Sequence, residues 1–152
     1  LFMNGIGGLG APYWLPDFQS EFLAAAGGSA RHVENAPELQ QVGAVVESIA
    51  FLLAVNVLAM HRATPLQRLT ITGGLAACDY LCEVLAEVTQ LPVARPTLLE
   101  ATSRGIAYLA AGQPSDWQSI PIDKSFAPTG QHPVLDRFDQ WRTAMAVRTG
   151  AA

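Results

Sequence analysis

Apolar residues recur almost all round a helical projection from Glu38 to about His61, which predicts a long helix covered on most of its sides. Arg62-Ala63-Thr64-Pro65 ends it. Thr70-Ile71-Thr72 is β-branched and suits a short, partly buried strand. Gly73 and Gly74 follow, and a second helix opens directly after them. In that helix Leu81, Val84, Leu85 and Val88 keep the i, i+3, i+4, i+7 spacing of an amphipathic helix lying on a sheet. Asp79 in its first turn favours the helix dipole and reads as a capping residue. Pro92-Val93-Ala94-Arg95-Pro96 is a short strand bracketed by prolines, which suits a sheet edge. Thr102 or Ser103 is then expected to cap a helix whose small residues, Gly105, Ala107, Ala110 and Ala111, allow close packing on the sheet before Gly112 stops it. Gln113 to Gly130 reads as a loop with three prolines. From about Pro133 to Val147 a last helix buries Leu135, Phe138, Trp141 and Met145 and packs back as a brace.

The stretch from Asp17 to Pro37 is poor in pattern, with a turn at Gly27-Gly28-Ser29 and a run-up to the long helix at Glu34-Asn35-Ala36-Pro37. Ahead of it, Gly5-Ile6-Gly7-Gly8-Leu9-Gly10 satisfies the G-x-G-x-x-G spacing of dinucleotide sites. That motif needs a helix to begin within it, and Pro12 and Pro16 oppose one. The glycines are expected instead to form an irregular loop that lets backbone pass close to a neighbouring lobe. Tyr13 and Trp14 either wedge against that lobe or cap the core.

Strand, glycine pair and helix start at residues 69–80 carry the candidate chemistry. Gly73 and Gly74 permit positive φ and leave no Cβ between backbone and ligand. The following helix offers unpaired N–H groups and the positive end of its dipole. Together these make a candidate cradle for the phosphate or ribose of a nucleotide; the alternative is a turn that needs glycine only for its geometry.

Composition narrows the remaining choices. The 152 residues make one domain, and 50% of them are hydrophobic against 14% charged, which fits a piece of a larger interface or an oligomer subunit. A net charge of −4 without a run of Lys or Arg argues against nucleic acid and anionic membrane as main partners. No signal peptide is evident, and the most apolar window, Val42 to Met60, is interrupted by Glu47, Ser48 and Asn56 and falls short of a membrane span. Glu47 is either a buried acid tied to a partner outside this chain or, as acids are rarely buried unless paired, a solvent-facing one, and the second is favoured. Cys78 and Cys82, four apart on one helix, are poorly placed for a disulfide. His32, His61 and His132 are too scattered to complete a zinc site with them. Two reduced cysteines suit a cytoplasmic protein.

Thr72-Gly73-Gly74-Leu75-Ala76-Ala77-Cys78-Asp79-Tyr80-Leu81 resembles the adenine-nucleotide loop of the FGGY family of carbohydrate kinases. Gly8-Leu9-Gly10-Ala11-Pro12-Tyr13-Trp14 and Val46-Glu47-Ser48-Ile49-Ala50-Phe51 are similar to the segment before the family's long helix and to that helix's core. Leu91 to Pro96 and Glu100 to Ala110 match the strand and helix beyond the loop, so the resemblance runs from about Phe2 to Ala111. It implies an α/β fold: a partial ribonuclease-H-like (actin-like ATPase) domain, helix-rich with a small parallel sheet, whose opening meander survives as one strand near Leu1 to Asn4. Residues 1–152 would be the C-terminal part of the family's C-terminal, ATP-binding domain, with the upstream lobe and catalytic residues elsewhere; a start at Leu1 suits an excised piece, and processing equally.

The function so implied is the nucleotide-binding portion of an ATP-dependent carbohydrate or polyol kinase, inactive by itself and cytoplasmic. The alternatives are a non-catalytic relative or an oligomerisation or interaction module that no longer binds ATP. Gly73, Gly74 and Cys78 would contact ATP, with Mg²⁺ held mainly by residues outside this chain and a small sugar or polyol reached through the other lobe. Open apolar faces imply a homo-oligomer. The sequence departs from the family pattern at Leu15 to Phe22, at Gly43, where an arginine is common, and at Cys78, where relatives often carry an asparagine that touches the adenine. The Gly8 to Trp14 run leans towards glycerol-like rather than pentulose substrates.

Overall fold

The computed structural model describes residues 1–24, 36–130 and 133–150. The turn read at Gly27-Gly28-Ser29, as well as His32 and His132, lies outside them. Strand β1 (Phe2–Met3) pairs antiparallel with β2 (Glu21–Phe22), placing Phe2 opposite Phe22. Helix α1 (Glu38–Ala63) follows, and Thr64 closes it with its N–H on the Met60 carbonyl. Strand β3 (Leu69–Thr70) leads into a 3₁₀ turn (Gly74–Ala77) and then α2 (Asp79–Thr89). Next come β4 (Val93–Pro96), α3 (Ala101–Ala110), β5 (Ile122–Phe126) and α4 (Val134–Thr149).

The expected parallel pair is present, with Leu69 opposite Val93 and Thr70 opposite Ala94. Two expectations fail around it. The stretch 113–130 is not a plain loop, because β5 lies within it and pairs antiparallel with β4. Consequently β4 is the central strand of the order β3-β4-β5, not an edge. Its prolines are tolerated at its limits: Pro92 needs only its carbonyl, which accepts from the Leu69 N–H, and Pro96 sits where the register with β5 shifts.

The core forms where α1 and α2 pack together and α4 closes over them. Phe51 of α1 meets Phe138 and Trp141 of α4 at ring distances of 5.1 and 5.5 Å, and the Trp141 indole N–H donates to the Phe2 carbonyl at 3.1 Å. The last helix is thus the expected brace, although Val134 rather than Leu135 is its first buried residue. The i, i+4, i+7, i+11 set 134, 138, 141, 145 keeps to one stripe, and Leu135 falls off it. On α2 the buried set extends beyond the predicted stripe to Cys82, Ala86, Glu87 and Thr89. Helix α3 departs most from expectation. It buries no residue, its glycine has open space beside it, and neither Thr102 nor Ser103 caps it; Glu100 stands at the cap position.

No helix starts in the glycine-rich run near the N-terminus. Gly5 to Gly8 form a turn, and Leu9 bridges Leu15. A Cβ at Gly5 or Gly8 would collide with the carbonyls of Phe18 or Pro16, so these two glycines serve a close approach of the chain to itself. Tyr13 packs against the core, whereas Trp14 is 73% exposed. By length and composition α1 does qualify as a candidate membrane span, contrary to the sequence reading. Only one part of it enters the core, through Ala50, Phe51 and Ala54, so the cover expected on most of its sides is not seen among the described residues.

Candidate functional site

The turn after β3 is held by main-chain bonds. Gly73 adopts φ 92°, ψ 169°, a conformation that a side chain would strain. Its N–H donates to the Leu99 carbonyl at 2.8 Å and its carbonyl accepts from the Ala76 N–H at 3.0 Å. The Cys78 N–H then closes the turn on the Leu75 carbonyl at 3.0 Å. The first N–H groups of a helical turn have no partner within it. Those of Gly74 and Leu75 accordingly have no acceptor among the described residues. A Cβ built on Gly73 or Gly74 meets nothing within 4 Å. The shelf is open, bare of side chains, and presents donors.

The helix start expected directly after the glycines is displaced, because the 3₁₀ turn comes first and α2 begins only at Asp79. Cys78 is half-buried at the cap position of α2, and both thiols are free. It lines a groove of about 830 Å³ together with Phe22, Leu39, Gln40, Glu47, Tyr80 and Arg137. Gly73 and Gly74 are not part of that lining. Of the three predicted site residues, then, two share the shelf and the third lines a groove that the glycines do not.

Asp79 is not a capping residue, since its side chain makes no cap bond. Its carboxylate instead accepts from Arg95 Nη1 at 2.7 Å and Lys124 Nζ at 2.6 Å. Lys124 first and Arg95 second hold the Asp79 carboxyl below its ordinary value, and Asp79 in turn raises the Arg95 guanidinium. Arg95 also donates to the Ala76 carbonyl at 3.1 Å and to Asp123 Oδ2 at 3.0 Å. The reading of 113–130 as a loop hid this network, because Asp123 and Lys124 reach Arg95 and Asp79 only through β5.

Glu47 was the second miss. It is 5% exposed and faces inward, not towards solvent. Arg137 of α4 donates to it through Nε at 3.0 Å and Nη2 at 2.5 Å, and the Tyr80 hydroxyl also donates to it. Burial and the Glu47 carboxylate push the Tyr80 phenol up to about 12. The usable signal was the acid itself within an apolar helix, which requires a cation somewhere in the chain. Among the described residues no group of three His, Cys, Asp or Glu converges as a metal site.

The sequence pattern of the FGGY family of carbohydrate kinases, C-terminal domain, matches residues 1–113. The chain is 31% identical over 154 residues to glycerol kinase of Acaryochloris marina, covering 95% of this chain and 29% of the relative. With glycerol kinase of Shewanella woodyi it is 31% identical over 150 residues, covering 91% and 29%. It therefore spans less than a third of the length of these curated relatives. Among solved structures, Plasmodium falciparum glycerol kinase with ADP superposes with a TM-score of 0.68 at 20% identity, over 98% of this chain and 30% of that one. Ligand-bound xylulose kinase from Lactobacillus acidophilus gives 0.67 at 21%, over 99% and 32%. These structures share the fold described above, and the match over residues 1–113 shows that the chain belongs to the FGGY family of carbohydrate kinases, within that family's C-terminal domain.

Proposed function

We propose that this chain is the nucleotide-side floor of an ATP-dependent sugar or polyol kinase. The observation that carries the reading is the open shelf at Gly73 and Gly74, with the Gly74 and Leu75 amides unpaired among the described residues. Phosphoryl transfer depends on positioning and neutralising charge more than on covalent chemistry, and a bare main-chain surface with free donors suits that work. Gly73 and Gly74 let the nucleotide lie against the backbone. Cys78, four residues beyond Gly74, is a weak hydrogen-bond partner, so the adenine is held by main-chain contacts rather than by that side chain. ADP is the ligand named for the Plasmodium glycerol kinase of the same fold.

The general base and most Mg²⁺ contacts come from residues outside this chain, and closure of two lobes brings the floor to the hydroxyl that is phosphorylated. The reaction so assembled is cytoplasmic and acts on a small sugar or polyol, glycerol-like by the similarity to glycerol kinases. A non-catalytic relative that has lost ATP binding is the second reading, favoured by Cys78 and by the altered Asp17 to Glu21 run. ADP release by the full-length gene product, given Mg²⁺–ATP with glycerol, xylulose or gluconate in turn, separates the two. Turnover with one of them supports the kinase; no binding of Mg²⁺–ATP by the same protein favours the second reading, in which the fold is kept and the nucleotide is not bound.

A further inference from the structure

A 3₁₀ turn has poorer hydrogen-bond geometry than an α-helix and does not hold itself rigidly. The turn at Gly74–Ala77 is anchored at one end by the Gly73 N–H on Leu99 and at the other by Arg95. The Arg95 side chain is only 13% exposed and reaches from the central strand. Nη1 donates to the Ala76 carbonyl at 3.1 Å and to Asp79 Oδ1 at 2.7 Å. Nε and Nη2 donate to Asp123 Oδ2 at 3.2 and 3.0 Å. The guanidinium carbon also lies 5.6 Å from the centre of the Phe126 ring. One planar group thus joins the end of the turn, the first residue of α2 and strand β5.

Carbonyls and amides of a helical turn point in opposite directions along its axis. Drawing the Ala76 carbonyl towards the sheet leaves the glycine end of the turn on the open side. We propose that Arg95 is a positioning residue for nucleotide binding: it fixes the main chain of Gly73 to Ala77 in its open arrangement without touching the nucleotide. This rests on the nucleotide reading above. Lysine does not replace it, because a single ammonium lacks the planar fork that serves the carbonyl, Asp79 and Asp123 together.

The test uses the full-length gene product and Arg95→Lys, which keeps the charge, alongside Arg95→Met. Loss of a charge-assisted bond to the turn is expected to raise the KM for ATP, and the Kd for ADP, about tenfold in Arg95→Lys and further in Arg95→Met. The KM for the polyol stays within about twofold of wild type. Faster hydrogen exchange in a peptide spanning 73–78, with α1 unchanged, is the companion readout. An unchanged ATP KM in Arg95→Lys overturns the proposal, as does an equal rise in both KM values with a lowered melting temperature. Failure of even the lysine variant to fold makes Arg95 a folding residue and overturns it too. If wild type binds no ADP, the nucleotide reading itself falls; if wild type binds and the variants bind equally, only the role of Arg95 falls.

Discussion

Glu47 occupies the middle of a 26-residue helix, and its charge is met by Arg137, ninety positions further along the chain. Removing one member of a buried ion pair leaves the other uncompensated. Arg137→Met is therefore expected to destabilise the protein by about 3 kcal/mol, the low end for such pairs because Arg137 is one-third exposed. Chemical denaturation of the full-length protein measures it, and a loss below about 1 kcal/mol would show that water compensates Glu47. Tyr80 gives the same cluster a pH dependence. Its folded-state value, about 12, lies above the ordinary 10.0. The folded state binds this proton more tightly, so the stability it contributes is complete below pH 10 and is lost as pH rises towards 12. Tyr80→Phe should flatten that alkaline decline. Identical declines in the two proteins would assign it to other groups. An acid among apolar residues signals a buried, paired charge, but a partner ninety positions away was not legible in sequence.

At the scale of elements, periodic segments were legible and paired ones were not. The apolar stripe of α2 follows from spacing alone, because burial of one face imposes the period, and α1 follows from its long apolar run. Strand β5 does not: four of its five residues are exposed, so it carries no alternating pattern, and its backbone bonds to β4 define it. Misreading it misplaced β4 at an edge and concealed the partners of Asp79. Helix α4 carries the firmest prediction here. Trp141 is fully buried, rings with Phe51 and Phe138, and donates to the Phe2 carbonyl. Trp141→Ala should cost about 3–5 kcal/mol, read as a fall in the denaturation midpoint. A cost under about 1 kcal/mol would mean that α4 is not part of the folding unit.

Across the whole molecule, apolar surface remains uncovered. Leu39, Val42 and Met60 on α1 are 83%, 59% and 60% exposed, and Ile106 and Leu109 on α3 are 63% and 62% exposed. Polypeptide 1–152 expressed by itself is expected to self-associate; a monodisperse monomer by light scattering would refute this. The candidate site was legible as far as its glycines, since a bare turn between strand and helix is written in the sequence. The 3₁₀ turn and its Arg95 anchor were not, because both depend on how β4 and β5 pair.

Gly74 offers the cleanest probe of the shelf. Unlike Gly73, it does not have positive φ, and a Cβ there meets open space. Valine at that position therefore intrudes on a ligand rather than on the fold. Titrating Mg²⁺–ATP by calorimetry into the full-length protein and its Gly74→Val variant is the direct measurement. Binding by wild type, weakened at least about tenfold in the variant at an unchanged melting temperature, is the expected result. Equal affinities in the two proteins, or no binding by wild type, would contradict the placing of a nucleotide on these glycines.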